Sequence, residues 1–342
     1  MTPRRITKRI TLADVAREAG VSVQTASHVL ADNRTVRLPE QTRQRVRDAA
    51  HKVGYRPNRL AQAMKNGKTR MVGVWMPVDR PNISLLQFLQ AINSSAHGDN
   101  YDLMITGLDG SMAYSGEGRR PHVWPVDGIV SLDAGKAIRA FREDPQNDDI
   151  PVAILGLEEY PNSDRVSWDL VEAAREVTNR LIARGCKSIV HVSLDWVLEG
   201  FPREQRRRGY TEAMLEAGLE PRFVPVKGES SHPAESAVEE YIQSHGCPDG
   251  IFGFTDSLAI GAARAVLNAG RSVPEDCLVW GFGNYPESPD YRIPISTIAL
   301  PVREVVDQAW AWLLERIERP IEENRLALIP MELIERQSSN RS

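Results

Sequence analysis

An N-terminal all-α helix-turn-helix domain, followed by an α/β core of two lobes with doubly wound parallel sheets, is the architecture this 342-residue sequence predicts. Three observations predict it. Helical periodicity, with turn and cap residues at fixed offsets, runs from Thr11 to Leu30. Charge divides the chain: residues 1–70 hold 16 Lys and Arg against 5 Asp and Glu, a balance of +11, which leaves −15 on residues 71–342. From Met71 onward, apolar runs of strand length alternate with helical stretches, the pattern of parallel sheets covered by helices on both faces.

The first ten residues are basic and irregular and read as a disordered terminus with weak contacts, the alternative being an arm that orders only against phosphate. Leu12, Val15, Ala16 and Ala19 then fall on one stripe of a 3.6-residue period behind the capping Thr11. Gly20 supplies a tight turn and Val21 plugs the angle between two helices. Ser22 caps a second helix that turns Ala26, Val29 and Leu30 inward. The outward face of that helix carries Val23, Gln24, Thr25, Ser27 and His28, short or amide-bearing side chains suited to the major groove of duplex DNA. Residues 31–38 read as a polar loop, and Pro39 as the first residue of a third helix. That helix is expected to bury Val46, Ala50 and Val53 and to turn Arg43, Arg45 and Arg47 outward. Residues 58–64 read as one short helix before Gly67. A basic head on an acidic body implies a polyanion partner for the head alone.

Strands are expected in MVGVWM, YDLMI, VDGIVSL, PVAILGL, SIVHVSL, GIFGF and CLVWGF, with a second βα array starting near Ser188. Residues 109–125 hold three glycines and two prolines and do not read as a good helix. Cys186, Cys247 and Cys277 are far apart in the chain and lack CxxC or His spacing, which implies reduced thiols and no metal site. No signal peptide or membrane-length apolar run is present, so the expected location is the cytoplasm, with no membrane partner. GxSxG, HExxH and GxGxxG are absent, and NGKT lacks the upstream Gly of a phosphate loop. No catalytic residue and no cofactor are expected.

The words TLADVAREAGVSVQTASHVL, TRQRV, GYRPN, NRLAQAM and MVGVWMP, in this order and spacing, resemble the head of the LacI/GalR family of bacterial transcription regulators. The resemblance implies a DNA-binding head over 1–57, a hinge helix and linker over 58–69, and a periplasmic-binding-protein-like sensor core over 70–342. Its first lobe would comprise about 71–160 and 297–326, and its second about 161–296 and 327–338. The implied partners are a pseudo-palindromic duplex operator, a second copy of the chain and a small-molecule effector, with carbohydrates among the candidate classes. The implied DNA contacts are Thr11, Ser22, Val23, Gln24, Thr25, Ser27 and His28 from the head and Asn58, Arg59, Ala61 and Met64 from the hinge. Met64 stands where a Leu usually wedges into the minor groove, and His28 where Arg is commoner.

In the core, the resemblance assigns Arg206, in RxxGY, to the effector-gripping position, and sets Asp256 and Thr255 in the motif where Asn-Asp is typical. Asp256 serves equally well as a helix cap. Gly283 replaces an Asp, which leaves Asn284 as the nearest polar substitute. Trp168, and after it Trp75, offer stacking faces. Two other readings stay open: a regulator whose core has lost its ligand and only dimerises, and an enzyme on a Rossmann-like fold. The C-terminal RQSSNRS lacks the apolar heptads of a tetramerisation helix, so a dimer is expected.

Overall fold

A computed structural model describes residues 10–30, 36–55, 68–78, 83–108, 126–134, 136–156, 163–200 and 204–341. The basic arm before Ile10, the hinge with Asn58, Arg59, Ala61 and Met64, and the glycine-broken stretch at 109–125 lie outside the described residues. The chain divides into two units, Met1–Arg70 and Met71–Ser342.

The first unit holds α1 (Leu12–Ala19), α2 (Val23–Leu30) and α3 (Glu40–Val53). Thr11 starts α1 by donating both its N–H and its hydroxyl to Asp14 Oδ2, at 2.9 and 2.7 Å. Gly20 ends it in the left-handed region at φ 61°, where a Cβ would be strained, and the Val21 N–H then closes on the Ala16 carbonyl at 3.0 Å. Val15, Ala16 and Ala19 of α1 meet Ala26 and Val29 of α2 and Val46, Ala49 and Ala50 of α3 in one small core, with Val21 packed against it.

Two expectations for α3 are corrected. Pro39 stands one residue before the helix rather than inside it, and its carbonyl accepts from Thr42 and Arg43. Arg43 is buried rather than turned outward. It lies three residues before Val46, hence on the inward stripe, and its guanidinium escapes the apolar surroundings by donating to the Val36 carbonyl at 2.8 Å. Arg45 and Arg47 are exposed as expected.

In the second unit the described residues form two six-stranded sheets. The first contains β1 (Met71–Pro77), β2 (Asp102–Leu108), β3 (Gly128–Leu132), β4 (Val152–Leu155), β5 (Asp164–Trp168) and β11 (Leu326–Ile329), in the spatial order β11-β5-β4-β3-β1-β2. The second contains β6 (Ile189–Leu194), β7 (Arg222–Val226), β8 (Gly250–Gly253), β9 (Leu278–Phe282), β10 (Ser296–Ala299) and β12 (Glu332–Ile334), in the order β12-β10-β9-β8-β6-β7. All pairings are parallel except β10 with β12. Inner strands such as β3, β4, β8 and β9 are buried on both faces, which is why they read as continuous apolar runs. The edge strand β11 alternates instead, and the other edge strand, β2, is only partly buried along most of its length.

Three crossings join the lobes, after Trp168, after Ala299 and after Ile329. The sequence reading set the breaks near 161, 297 and 327. The largest difference arises because β5 pairs with β4 in the first sheet, a partnership no local pattern encodes. Helices α4 (Ile83–Gly98), α5 (Lys136–Arg142) and α12 (Val302–Glu318) belong to the first lobe. To the second belong α6 (Leu170–Ala183), α7 (Asp195–Gly200), α8 (Gln205–Glu216), α9 (Ser231–His245), α10 (Asp256–Asn268) and α11 (Glu287–Asp290).

A buried ionic clasp fastens the first lobe where its strands begin. Asp164, at the head of β5, is 1% exposed and is gripped from both sides. Arg316 of α12 donates through Nε and Nη2 at 2.6 and 2.7 Å, and Arg325, just before β11, donates through its backbone N–H and Nη2 at 2.9 and 2.7 Å. Burial alone would raise the carboxyl's pKa, but the two guanidinium groups outweigh it and hold it below its ordinary value.

Candidate functional site

The head presents the exposed face of α2. Ser22 caps that helix, its Oγ accepting from the Thr25 N–H at 3.0 Å and lying 2.8 Å from the Thr25 hydroxyl. Both hydroxyls are thereby engaged in starting the helix. Val23 is 48% exposed, an uncommon state for so apolar a side chain, and Gln24 beside it is exposed as well. Thr25, Ser27 and His28 are half-buried, so the face is graded from an open N-terminal edge to a partly packed C-terminal end. Thr11 sits at the start of α1 with its hydroxyl turned onto Asp14. The geometry offers a short, mixed polar and apolar edge at a helix N-terminus, the part of such a helix that enters a groove first.

In the core, the five residues singled out from sequence lie at strand ends or at the starts of the helices that follow, in different states. Arg206, at the start of α8, carries its side chain 14% exposed. Its Nε donates to Glu204 Oε1 at 2.7 Å and its Nη1 to the Phe254 carbonyl at 3.0 Å. Its guanidinium lies 3.4 Å from the Phe254 ring centre and 4.7 Å from that of Phe282. Among the described residues two of its five N–H groups are thus engaged. Burial works to raise the Glu204 pKa, yet the adjoining Arg206 and the Arg207 N–H bring it below its ordinary value. Glu204, Phe254 and Phe282 were not singled out from sequence. The signals were a Glu two residues before the Arg and an aromatic residue closing each of two adjacent strands.

Thr255 and Asp256 are both turned onto the protein itself. Thr255 is 1% exposed and caps α10, its hydroxyl accepting from the Leu258 N–H at 3.3 Å. Asp256 is fully buried and each of its oxygens is spent within the lobe. Oδ2 accepts from the Tyr285 N–H at 2.7 Å and the Ser288 hydroxyl at 2.6 Å, and Oδ1 from the Thr297 hydroxyl at 2.6 Å. Burial raises its pKa despite these donors. The carboxylate therefore stitches α10 to the turn after β9 and to β10, and it is not the cap either.

Asn284 is half-buried at φ 48°, its amide oxygen accepting from Arg336 Nη2 at 2.7 Å and its N–H reaching the Thr297 hydroxyl at 3.2 Å. Gly283 before it adopts φ 114°, and a Cβ there would lie 2.3 Å from the Tyr285 ring, so the missing side chain is tied to the aromatic two residues on. Trp168 is 6% exposed and stacks on Phe88 with centres 5.6 Å apart, a core contact; Trp75 meets Phe141 edge-on at 5.0 Å. Among these candidates, Arg206 is the charged group with donors beyond those that Glu204 and Phe254 engage.

A separate hollow of about 810 Å³ lies among the starts of α9, α10 and α11, with Arg264, Glu229, Tyr285 and Asp290 on its walls and Ile83 of the first lobe at its margin. Among the described residues no group of three or more His, Cys, Asp and Glu side chains is arranged to hold a metal ion. No described helix is long and apolar enough to cross a membrane.

Comparison with known proteins agrees with both halves. Residues 11–58 match the bacterial regulatory proteins of the lacI family, and residues 178–339 match the periplasmic binding protein-like domain. Catabolite control protein A of Priestia megaterium is 28% identical over 339 residues, which cover 96% of this chain and 99% of that protein. The HTH-type transcriptional repressor PurR of Aliivibrio salmonicida is 26% identical over 332 residues, with coverage of 96% and 98%. Among solved structures, the lac repressor dimer bound to operator and the anti-inducer ONPF superposes with a TM-score of 0.77 at 22% identity, over 97% of this chain and 99% of that one.

Proposed function

We propose that this chain, which belongs to the lacI family of bacterial regulatory proteins, is a transcription regulator of the repressor type that binds a pseudo-palindromic duplex operator as a homodimer. A small molecule held between the lobes modulates its grip. The regulator works in the cytoplasm and has no catalytic role. The observation that carries this reading is the open N-terminal edge of α2, with Val23 and Gln24 exposed on a domain of balance +11.

The division of labour follows from the side chains. Gln24 has one donor and one acceptor that match adenine in the major groove, Val23 meets a thymine methyl, and His28 reads a third base pair with a single ring N–H. Thr11, Ser22, Thr25 and Ser27 approach phosphates, and the hinge residues Asn58, Arg59, Ala61 and Met64 take the minor groove. Relatives are regulators named as repressors, and one neighbour was solved on its operator as a dimer. On the core side Arg206 is the anchor for the effector, with the rings of Phe254 and Phe282 beside it.

Operator affinity should fall steeply with salt, by about 0.9 in log slope per phosphate neutralised, or about a thousandfold between 50 and 200 mM for six phosphates. Titration of a labelled duplex at several salt concentrations reads this, and an affinity indifferent to salt would refute the electrostatic role of the head.

A second reading has a specific observation in its favour: the Thr255 hydroxyl, both Asp256 carboxylate oxygens and the Asn284 amide oxygen are spent on the protein itself, as a core that only dimerises would allow. Thermal shift against a metabolite panel separates the two, because a ligand at a hundred times its Kd stabilises by about 2.7 kcal/mol.

A further inference from the structure

The three cysteines, spread over 92 positions of sequence, lie just before the inner strands β6, β8 and β9, at the end of the second sheet where its strands begin. Asp249 knots the three loops that carry them. Its carbonyl accepts from the Cys186 thiol at 3.2 Å and from the Leu278 N–H, next to Cys277, at 2.9 Å; its Oδ2 accepts from the Lys187 and Ser188 N–H groups at 2.9 and 3.0 Å. Cys247 lies two residues before Asp249 in the same turn. β8 and β9 run parallel from this knot, with Gly250 opposite Leu278, so Cys247 and Cys277 precede the starts of two neighbouring, paired strands.

Their surroundings differ. Cys247 is half-buried, whereas Cys277 and Cys186 are buried. The Cys277 thiol donates to the Leu278 carbonyl at 3.7 Å and the Cys247 thiol to that of Pro248 at 3.6 Å. The adjoining Cys277 thiol, with the Arg271 guanidinium nearby, brings the Cys247 pKa below its ordinary value, while burial and the neighbouring Cys247 push Cys277 up. Burial pushes Cys186 up to about 11. Cys247 is the accessible thiol and its pKa is lowered, whereas its neighbour Cys277 is shielded and its pKa raised. This is the asymmetry that separates an attacking thiol from a resolving one.

We propose that Cys247 is a peroxide-reactive modification site whose sulfenic acid is resolved by Cys277 into a reversible disulfide joining the starts of β8 and β9. The Cys247 thiolate attacks one oxygen of hydrogen peroxide, the O–O bond breaks, and hydroxide leaves to be protonated as water. Cys277 sulfur then attacks the sulfenic sulfur; the S–O bond breaks, the S–S bond forms, and the Cys277 proton leaves with the hydroxide as a second water. Two thiols give up two electrons and one peroxide accepts them, so no further reagent is required.

The test treats the full folded chain with hydrogen peroxide, counts free thiols, and maps disulfides by mass spectrometry without reduction. The expected result is a fall from three thiols per chain to one, a peptide pair linked through Cys247 and Cys277, and full recovery with a dithiol reductant. Cys277→Ser should instead trap a dimedone adduct on Cys247, and Cys247→Ser should abolish the loss of thiols. Three thiols surviving in the wild-type chain would overturn the proposal, as would linkage through Cys186, or a dimedone adduct on Cys247 of the wild-type chain with no disulfide. The wild-type measurements decide the matter even if a serine variant fails to fold.

Discussion

Asp164→Ala should lower the unfolding free energy of the core by about 3–5 kcal/mol, because it leaves Arg316 and Arg325 partly buried without their shared counter-charge. The loss is expected to be larger than for truncating any surface ion pair, since Asp164 is 1% exposed and the clasp joins three elements distant in sequence: the head of β5, the end of α12 and the residue before β11. Urea unfolding monitored by circular dichroism measures it through a shift of the midpoint at constant slope. The pH dependence carries a sign. The folded-state pKa is depressed, so the contribution is present above the unfolded value of about 3.9 and disappears as pH falls through the folded value. The gap between wild type and Asp164→Ala should therefore be constant from neutral pH to about 5 and close at lower pH. A gap unchanged below pH 3 would remove the ion pair as its cause.

The second large effect is expected at Asp256. Replacing it with Ala strips the acceptor from the Tyr285 N–H and from the hydroxyls of Ser288 and Thr297, all within the fully buried turn region of the second lobe. An orphaned buried donor costs about 1–3 kcal/mol, so the sum is about 3 kcal/mol or more, reduced where the Thr297 hydroxyl turns to the Ile298 carbonyl, which it already approaches at 3.3 Å. The consequence reaches beyond stability. Thr297 also holds Asn284, and Asn284 holds Arg336, so the turn after β9 should loosen as a unit. Hydrogen exchange of the Tyr285 amide reads this directly. Unchanged protection in Asp256→Ala would mean that the turn is held by something other than this carboxylate.

These two aspartates show where sequence reading succeeds and where it stops. The head was legible because its information is local. Leu12, Val15, Ala16 and Ala19 repeat within two turns, Gly20 lies where a left-handed residue is needed, and Ser22 caps the next helix. Even there Arg43 was misread, because charge was taken as a sign of exposure while its position three residues before Val46 put it on the inward stripe. The alternation of strand and helix predicted two doubly wound lobes, yet it could not say that β5 pairs with β4 rather than opening the second sheet.

The effector wall was harder still. Thr255 and Asp256 read as a ligand motif or a cap, but the partners of Asp256 lie 29 to 41 residues further along the chain, and only the folded lobe brings them together. The aromatic surroundings of Arg206 are likewise non-local, since Phe254 closes one strand and Phe282 the next. Gly283 is the opposite case: the ring that forbids a side chain there belongs to Tyr285, two residues away in the same turn.

Whether the open edge of α2 reads bases is decided by selection from a randomised duplex pool. Wild-type protein and Gln24→Ala are each put through the selection at one salt concentration, and the enriched half-sites are sequenced. Gln24 is exposed and lies outside the packed core of the head, so its truncation should leave the fold intact. The predicted result is a pseudo-palindromic motif for the wild type and, for Gln24→Ala, the same motif with one position per half-site relaxed by about 1–3 kcal/mol of discrimination. An unchanged motif with Ala at position 24, or no enriched motif for the wild type, would contradict the account.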